Sequence, residues 1–175
     1  SIAELVAYGR AHRGALNFSS LGRATPTSLL ATRFLAAAGI EAVEVSYTSV
    51  ATAANDVIAG RVQMHFTGAQ AGNLAADRMR PLAVTATERL QVAPQVPTFV
   101  ENGYPTLLGG TWFGIFAPAA TPAPILARLS EAVQQATDSL KQRLEDQGVL
   151  PVPGGAAGFP EYIRRDQALW TDDLR

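Results

Sequence analysis

Cysteine is absent from the 175 residues, which excludes disulfides, thiolate metal sites and a cysteine nucleophile. Histidine occurs twice, at His12 and His65, and two dispersed imidazoles without thiols assemble no metal cluster. No apolar run approaches the roughly 20 residues that a membrane-spanning helix needs. The 14 Lys plus Arg stand against 15 Asp plus Glu and are scattered, so neither a basic stripe for nucleic acid nor an acidic tail emerges. The opening SIAELVAYGRAHRG has neither a basic n-region nor an uninterrupted apolar h-region, and the residues present carry no visible targeting address. Motifs of covalent and nucleotide chemistry are equally scarce. No serine sits in a Gly-x-Ser-x-Gly elbow, no Walker loop occurs, and GGTWFG lacks the helix a dinucleotide fingerprint requires after it.

What is present is a foldable chain: 47% of its residues are hydrophobic, enough for one core, or for one small domain plus part of another. Ile2, Leu5 and Val6 recur at helical spacing before Gly14, and ALNFSS then predicts a strand. Leu29, Leu30, Phe34, Leu35 and Ala38 keep a helical period up to Gly39, where the chain can turn. EAVEVSY predicts a second strand, Ala51 to Ile58 a short helix ended by Gly60, and VQMHFT a third strand. Leu74 and Met79 fit one face of a helix in an otherwise ambiguous stretch. PLAVTAT and GGTWFGIFAPAATP predict fourth and fifth strands, separated by the loop-rich APQVPTFVENGYP. A long helix enters through Thr121-Pro122, VLPVPGG reads as a short edge strand, and a last helix enters at Phe159-Pro160. Strands alternating with helices in units of about 30 residues indicate parallel βαβ units and an α/β class.

The stretch SSLGRATPTSLL concentrates the binding chemistry. Thr25 can cap the helix and Pro26 suits its first position, where the missing N–H is one of the unpaired donors. Ser19, Ser20 and Gly22 then lie at the carboxyl end of a strand, where open α/β sheets collect ligands. The free N–H groups and the positive end of the helix dipole suit a carboxylate or phosphate. The same residues also describe the ordinary way a helix begins, and spacing alone leaves both readings open. His65 reads as a packed strand histidine or a base, Asp172 and Asp173 as a solvated helix end, and Trp112 and Trp170 as core or hinge packing.

Read in order, these landmarks resemble the Bug-type periplasmic solute receptors of tripartite tricarboxylate transporters. ELVAYGRAHRGALNFSSLG resembles their helix and strand leading into a Ser-x-Gly-x-Gly loop, and AGIEAVEVSYTSVATAANDVIAGRVQMHF resembles the segment ending in Val-Asp-x-Met-Phe. RPLAVTATERLQVAPQVPTFVENGYP is the most specific piece, and TWFGIFAPAATPAPILARLSEAV follows at the expected place. Departures fall on the pocket side. Ala24 stands where a second loop glycine is common, Ser28 where histidine is frequent, and SYTSVATAA replaces a Pro-Tyr-Lys-Gly-Gly stretch. Thr67 and Gly68 replace Asp-Asn.

The resemblance implies a parallel-rich α/β sheet with flanking helices, the second lobe of a two-lobed fold of the periplasmic-binding-protein type plus the carboxyl-terminal part of the first. Residues 1–13 would be a hinge or first-lobe helix, 14–108 the second ligand-binding lobe, and 109–175 the return crossover and the end of the first lobe. Such receptors carry a signal peptide and a further first-lobe segment upstream. It also implies a periplasmic receptor, not an enzyme, with no cofactor and no metal. A small carboxylate, dicarboxylate, tricarboxylate or amino-acid-like, would be cradled by Ser20, Gly22, Ala24 and Thr25, with charge from Arg23, and by Thr67 with Gly68. Membrane transporter subunits are the expected partners, nucleic acid is not, and an incomplete first lobe would favour a homodimer. Two other functions compete: a sensor subunit that reports occupancy of the same pocket, and a small α/β hydrolase or isomerase using Ser20 or His65.

Overall fold

The computed structural model describes residues 1–69, 78–150 and 155–171. The chain divides into two compact units, Ser1–Thr111 and Trp112–Arg175. The first begins with α1 (Ile2–Ala11), whose capping box has Glu4 N–H donating to Ser1 Oγ at 3.2 Å and so satisfies an amide the helix cannot. Then follow β1 (Asn17–Ser20), α2 (Pro26–Ala38), β2 (Val43–Ser46), α3 (Val50–Ile58) and β3 (Met64–His65). The three strands are parallel in the order β2-β1-β3, with Ser19 opposite both Val45 and His65. An α/β class with a parallel sheet and flanking helices is therefore what the molecule adopts.

Local chemistry accounts for these elements. Thr25 caps α2, accepting from Ser28 N–H, Pro26 holds the first turn, and Gly39 ends the helix at φ 63°, a left-handed conformation that glycine adopts without penalty. The Arg10 guanidinium donates twice to Ala38 O, at 2.6 and 3.1 Å, placing a cation on the negative end of the helix. As the central strand, β1 is covered on both faces, so Phe18, Ser19 and Ser20 are all buried and the alternation of a half-exposed strand is lost. Phe34 on α2 anchors the core at 1% exposure, its ring 6.2, 5.3 and 5.4 Å from those of Phe66, Phe99 and Tyr104.

β2 and β3 flank β1 on opposite sides, so the crossovers through α2 and α3 run in opposite directions across the sheet. Right-handed connections then put the two helices on opposite faces. Phe18, Ser20, Glu44 and Met64 share the α2 face by register, and Asn17, Ser19, Val43, Val45 and His65 share the other.

Two expected strands do not form as ladders. PLAVTAT contributes one isolated parallel bridge, Val84 to Thr98, because the facing segment contains Pro94 and Pro97, which have no N–H to extend a ladder. GGTWFGIFA forms no strand; its backbone pairs at Gly109 N–H with Thr85 O, and beyond that it has no ladder partner among the described residues. The third strand is shorter than VQMHFT suggests, being Met64 and His65.

The second unit contains α4 (Ala123–Glu145) and α5 (Gly155–Trp170). α4 starts directly after Pro122 and buries none of its residues. α5 starts earlier than Phe159-Pro160 and carries Pro160 inside, where the proline has no N–H for the intrahelical bond of its position. Asp166 accepts from two indoles, Trp112 Nε1 at 2.9 Å and Trp170 Nε1 at 3.3 Å, while the Trp112 ring meets Phe159 and Tyr162 edge-on. A Cβ at Gly114 would collide with the Phe159 ring. The expected helical face of Leu74, most of the edge strand at VLPVPGG, and the Asp172-Asp173 pair lie outside the described residues.

Candidate functional site

Open α/β sheets collect ligands at the carboxyl ends of their strands. In this sheet β1 and β3 are adjacent and parallel. The loop after β1 is Leu21 to Thr25 and the chain after β3 begins with Phe66, Thr67 and Gly68, so the two segments expected to form the cradle leave neighbouring strands at the same end.

The first loop is built from the buried end of β1. Ser20, 2% exposed, shares a hydrogen bond with Ser28 Oγ at 2.5 Å and accepts from Gly22 N–H at 2.9 Å. Gly22 sits at φ 127°, a region costly for any residue with a Cβ. Thr25 closes the turn: its N–H donates to Gly22 O at 3.0 Å and its hydroxyl donates to the same oxygen at 2.8 Å. The N–H groups of Arg23, Ala24 and Thr27 donate to no acceptor among the described residues. They lie at the positive end of the α2 dipole, which favours an anion.

Arg23 stands beside a carboxylate of the protein itself: its side chain is 92% exposed and its Nε lies 3.4 Å from Glu44 Oε2. Glu44 Oε1 is buried without a hydrogen-bond partner. Ala24 is exposed at the tip of the loop, and Thr67 is half-buried and Gly68 exposed just beyond β3.

Ser20 and His65 are not assembled as a nucleophile and base: they lie on opposite faces of the sheet. The hydroxyl beside His65 is that of Ser19, 2.5 Å from Nδ1, and Ser19 is itself 5% exposed. Burial pushes the His65 pKa below its ordinary value. Ser28 and Glu44 were not among the residues singled out for binding. Ser28 is one helical turn into α2 and reaches the loop through its hydroxyl, a role that its spacing from Ser20 does not disclose.

A tripartite tricarboxylate transporter family receptor model matches residues 1–171. A protein from the tcbD-tcbE intergenic region of Pseudomonas sp. strain P51 is 30% identical over 174 residues, covering 97% of this chain and 52% of that protein. An R. palustris protein solved with adipate is 26% identical with a TM-score of 0.84, over 98% of this chain and 59% of the other. MatC from Rhodopseudomonas palustris with bound malate is 25% identical with a TM-score of 0.76, over 99% and 61%. The chain thus spans little more than half the length of these relatives. None of the similarities supports the homodimer expected from the sequence. The fold, the order of its landmarks and a match over nearly the whole chain place the protein in the tripartite tricarboxylate transporter receptor family, whose solved relatives are periplasmic binding proteins.

Proposed function

We propose that this chain supplies one ligand-binding face of a periplasmic receptor that captures a small carboxylate and presents it to membrane transporter subunits. The observation that supports this reading is that the adjacent strands β1 and β3 bring the N–H groups at the start of α2, which have no acceptor among the described residues, to the same end of the sheet as Thr67 and Gly68. Backbone donors that are already oriented bind a carboxylate without the ordering cost of long cationic side chains. Adipate and malate in the two solved relatives support a carboxylate of this size.

Residues 14–108 act in this reading as the second lobe, and residues 109–175 return to the first. Affinity of the isolated residues described is expected in the millimolar range, equivalent to about −4 kcal/mol. Calorimetric titration of malate and adipate, with propionamide as an uncharged control, tests the carboxylate; capture of transporter membrane subunits by the loaded protein tests the delivery role. Saturable binding of a carboxylate that is recovered intact is the expected outcome. Turnover of the bound molecule, or equal binding of the amide, would overturn the reading.

A further inference from the structure

β3 consists of Met64 and His65, so a pairing two residues long holds the chain after β3 beside the loop after β1. A side-chain contact reinforces it. Ser19 Oγ lies 2.5 Å from His65 Nδ1, directly opposite in register, and 3.5 Å from Met64 O. Nδ1–H can donate to Ser19 Oγ while Ser19 donates to Met64 O. Nε2 is buried and has no partner among the described residues. In the neutral ring it then carries only a lone pair, whereas protonation puts a charged N–H where no acceptor waits.

Among the described residues, the strands and the helix around His65 supply no compensating charge. On the His65 face, β1 presents Asn17 and Ser19, and β2 presents Val43 and Val45, while Glu44 belongs to the opposite face. Asp56 is the ionisable side chain of α3, and it is taken by Tyr47 Oη at 2.7 Å and Arg61 Nε at 2.9 Å. Burial alone accounts for the lowered His65 pKa.

We propose that the Ser19–His65 hydrogen bond is a clasp that sets the spacing of the loop Ser20–Thr25 against Thr67–Gly68, closed while His65 is neutral and given up when protonation of the buried Nε2 draws the ring toward water. His65 is in this sense a positioning residue. The coupling between ring and loops stands by itself; its consequence for affinity rests on the carboxylate-receptor reading.

The test is a pH titration of the whole chain from pH 7.5 to 4.5, following the His65 ring and the backbone amides by NMR, first without ligand and then with malate. In the ligand-free protein the amides of Ser20–Thr25 and Thr67–Gly68 are expected to shift with the same midpoint as the His65 ring. Malate affinity is expected to fall by up to about tenfold per pH unit below that midpoint, the slope of one linked proton. His65→Asn places an amide donor where Nδ1–H stood, so it is expected to keep the loop shifts and the affinity of the neutral protein while losing this pH dependence. Ser19→Ala is expected to uncouple the loops from the ring in an otherwise folded chain. Loop amides that ignore the His65 midpoint, or a pH dependence that survives in His65→Asn, would overturn the clasp. Affinity that rises on acidification would overturn it too, by making the imidazolium a counter-charge. Coupled amides in a protein that binds no malate would instead count against the receptor reading and leave the clasp standing.

Discussion

Gly22→Ala separates loop shape from side-chain chemistry at the candidate cradle. A Cβ at Gly22 would meet Thr25 Cγ2 at 3.8 Å, an ordinary contact, so the substitution causes no collision. Its cost is conformational: holding a residue with a Cβ at φ 127° costs about 1–3 kcal/mol. A loop of five residues can relax to escape that strain, and in doing so it changes the directions of the N–H groups of Arg23 and Ala24. The penalty then reappears as lost affinity of about five- to 150-fold, with part of the thermal stability retained. Malate titration and thermal melting of the same samples give both quantities. Gly14→Ala is the control, because Gly14 also has positive φ, 76°, with open space around its Cβ position, but lies before β1, away from the candidate cradle. It is expected to lower stability and leave affinity unchanged. Ser28→Ala removes the partner of Ser20 Oγ and is expected to cost about 1–3 kcal/mol of stability, with a smaller effect on affinity than Gly22→Ala. Native malate affinity in Gly22→Ala would refute the reasoning, because the loop conformation would then be irrelevant to the ligand.

Phe34→Ala is expected to destabilise the first unit by about 3–5 kcal/mol, since the ring is fully buried against three other aromatics; a denaturant midpoint within error of the native value would contradict its place in the core. Glu101 is held down to about 2, first by the hydrogen bond from Arg89 and then by Thr98 N–H. Because the folded pKa is below the ordinary one, the stabilisation is complete above pH 4.5 and is lost as the pH falls toward 2. Melting temperatures of Glu101→Gln are therefore expected to be lower than native at pH 6 and to converge with native at pH 2. In the second unit, Trp112→Phe keeps an aromatic ring near Phe159 and Tyr162 but leaves Asp166 with Trp170 alone. It is expected to cost about 1 kcal/mol, the order of one lost hydrogen bond, whereas Trp112→Ala is expected to cost more; equal melting of the two variants would place the ring outside the packing.

Short-range chemistry made much of the first unit legible in the sequence. Thr25-Pro26 at one end of α2 and Gly39 at the other mark that helix because caps and left-handed stops are set by a few adjacent residues. The strands were harder to place. VQMHFT alternates as a strand should, yet a two-residue pairing is what the sheet uses, and PLAVTAT has a β-like composition but faces prolines that cannot donate. Composition records a residue's own preference, whereas a ladder needs a partner with N–H groups in register. At the candidate site, the Ser-x-Gly loop was legible because φ above zero demands glycine. The Arg23–Glu44 pair, Ser28 beneath the loop, and the pairing of His65 with Ser19 instead of Ser20 were not, because each depends on which strands are neighbours and in what register. A shift of one residue would have moved His65 to the face of Ser20.

The central claim is that the loop after β1 and the chain after β3 form one carboxylate cradle. Amide chemical shifts recorded during titration with malate, and in parallel with adipate, test it most directly. The expected result is that Leu21 to Thr25 and Thr67 to Ala69 move together along one binding curve, with the N–H groups of Arg23 and Ala24 moving downfield as they gain an acceptor. Shifts confined to another surface, with both segments unmoved at saturating dicarboxylate, would contradict the account and leave the stretch from Ser19 as no more than the start of a helix.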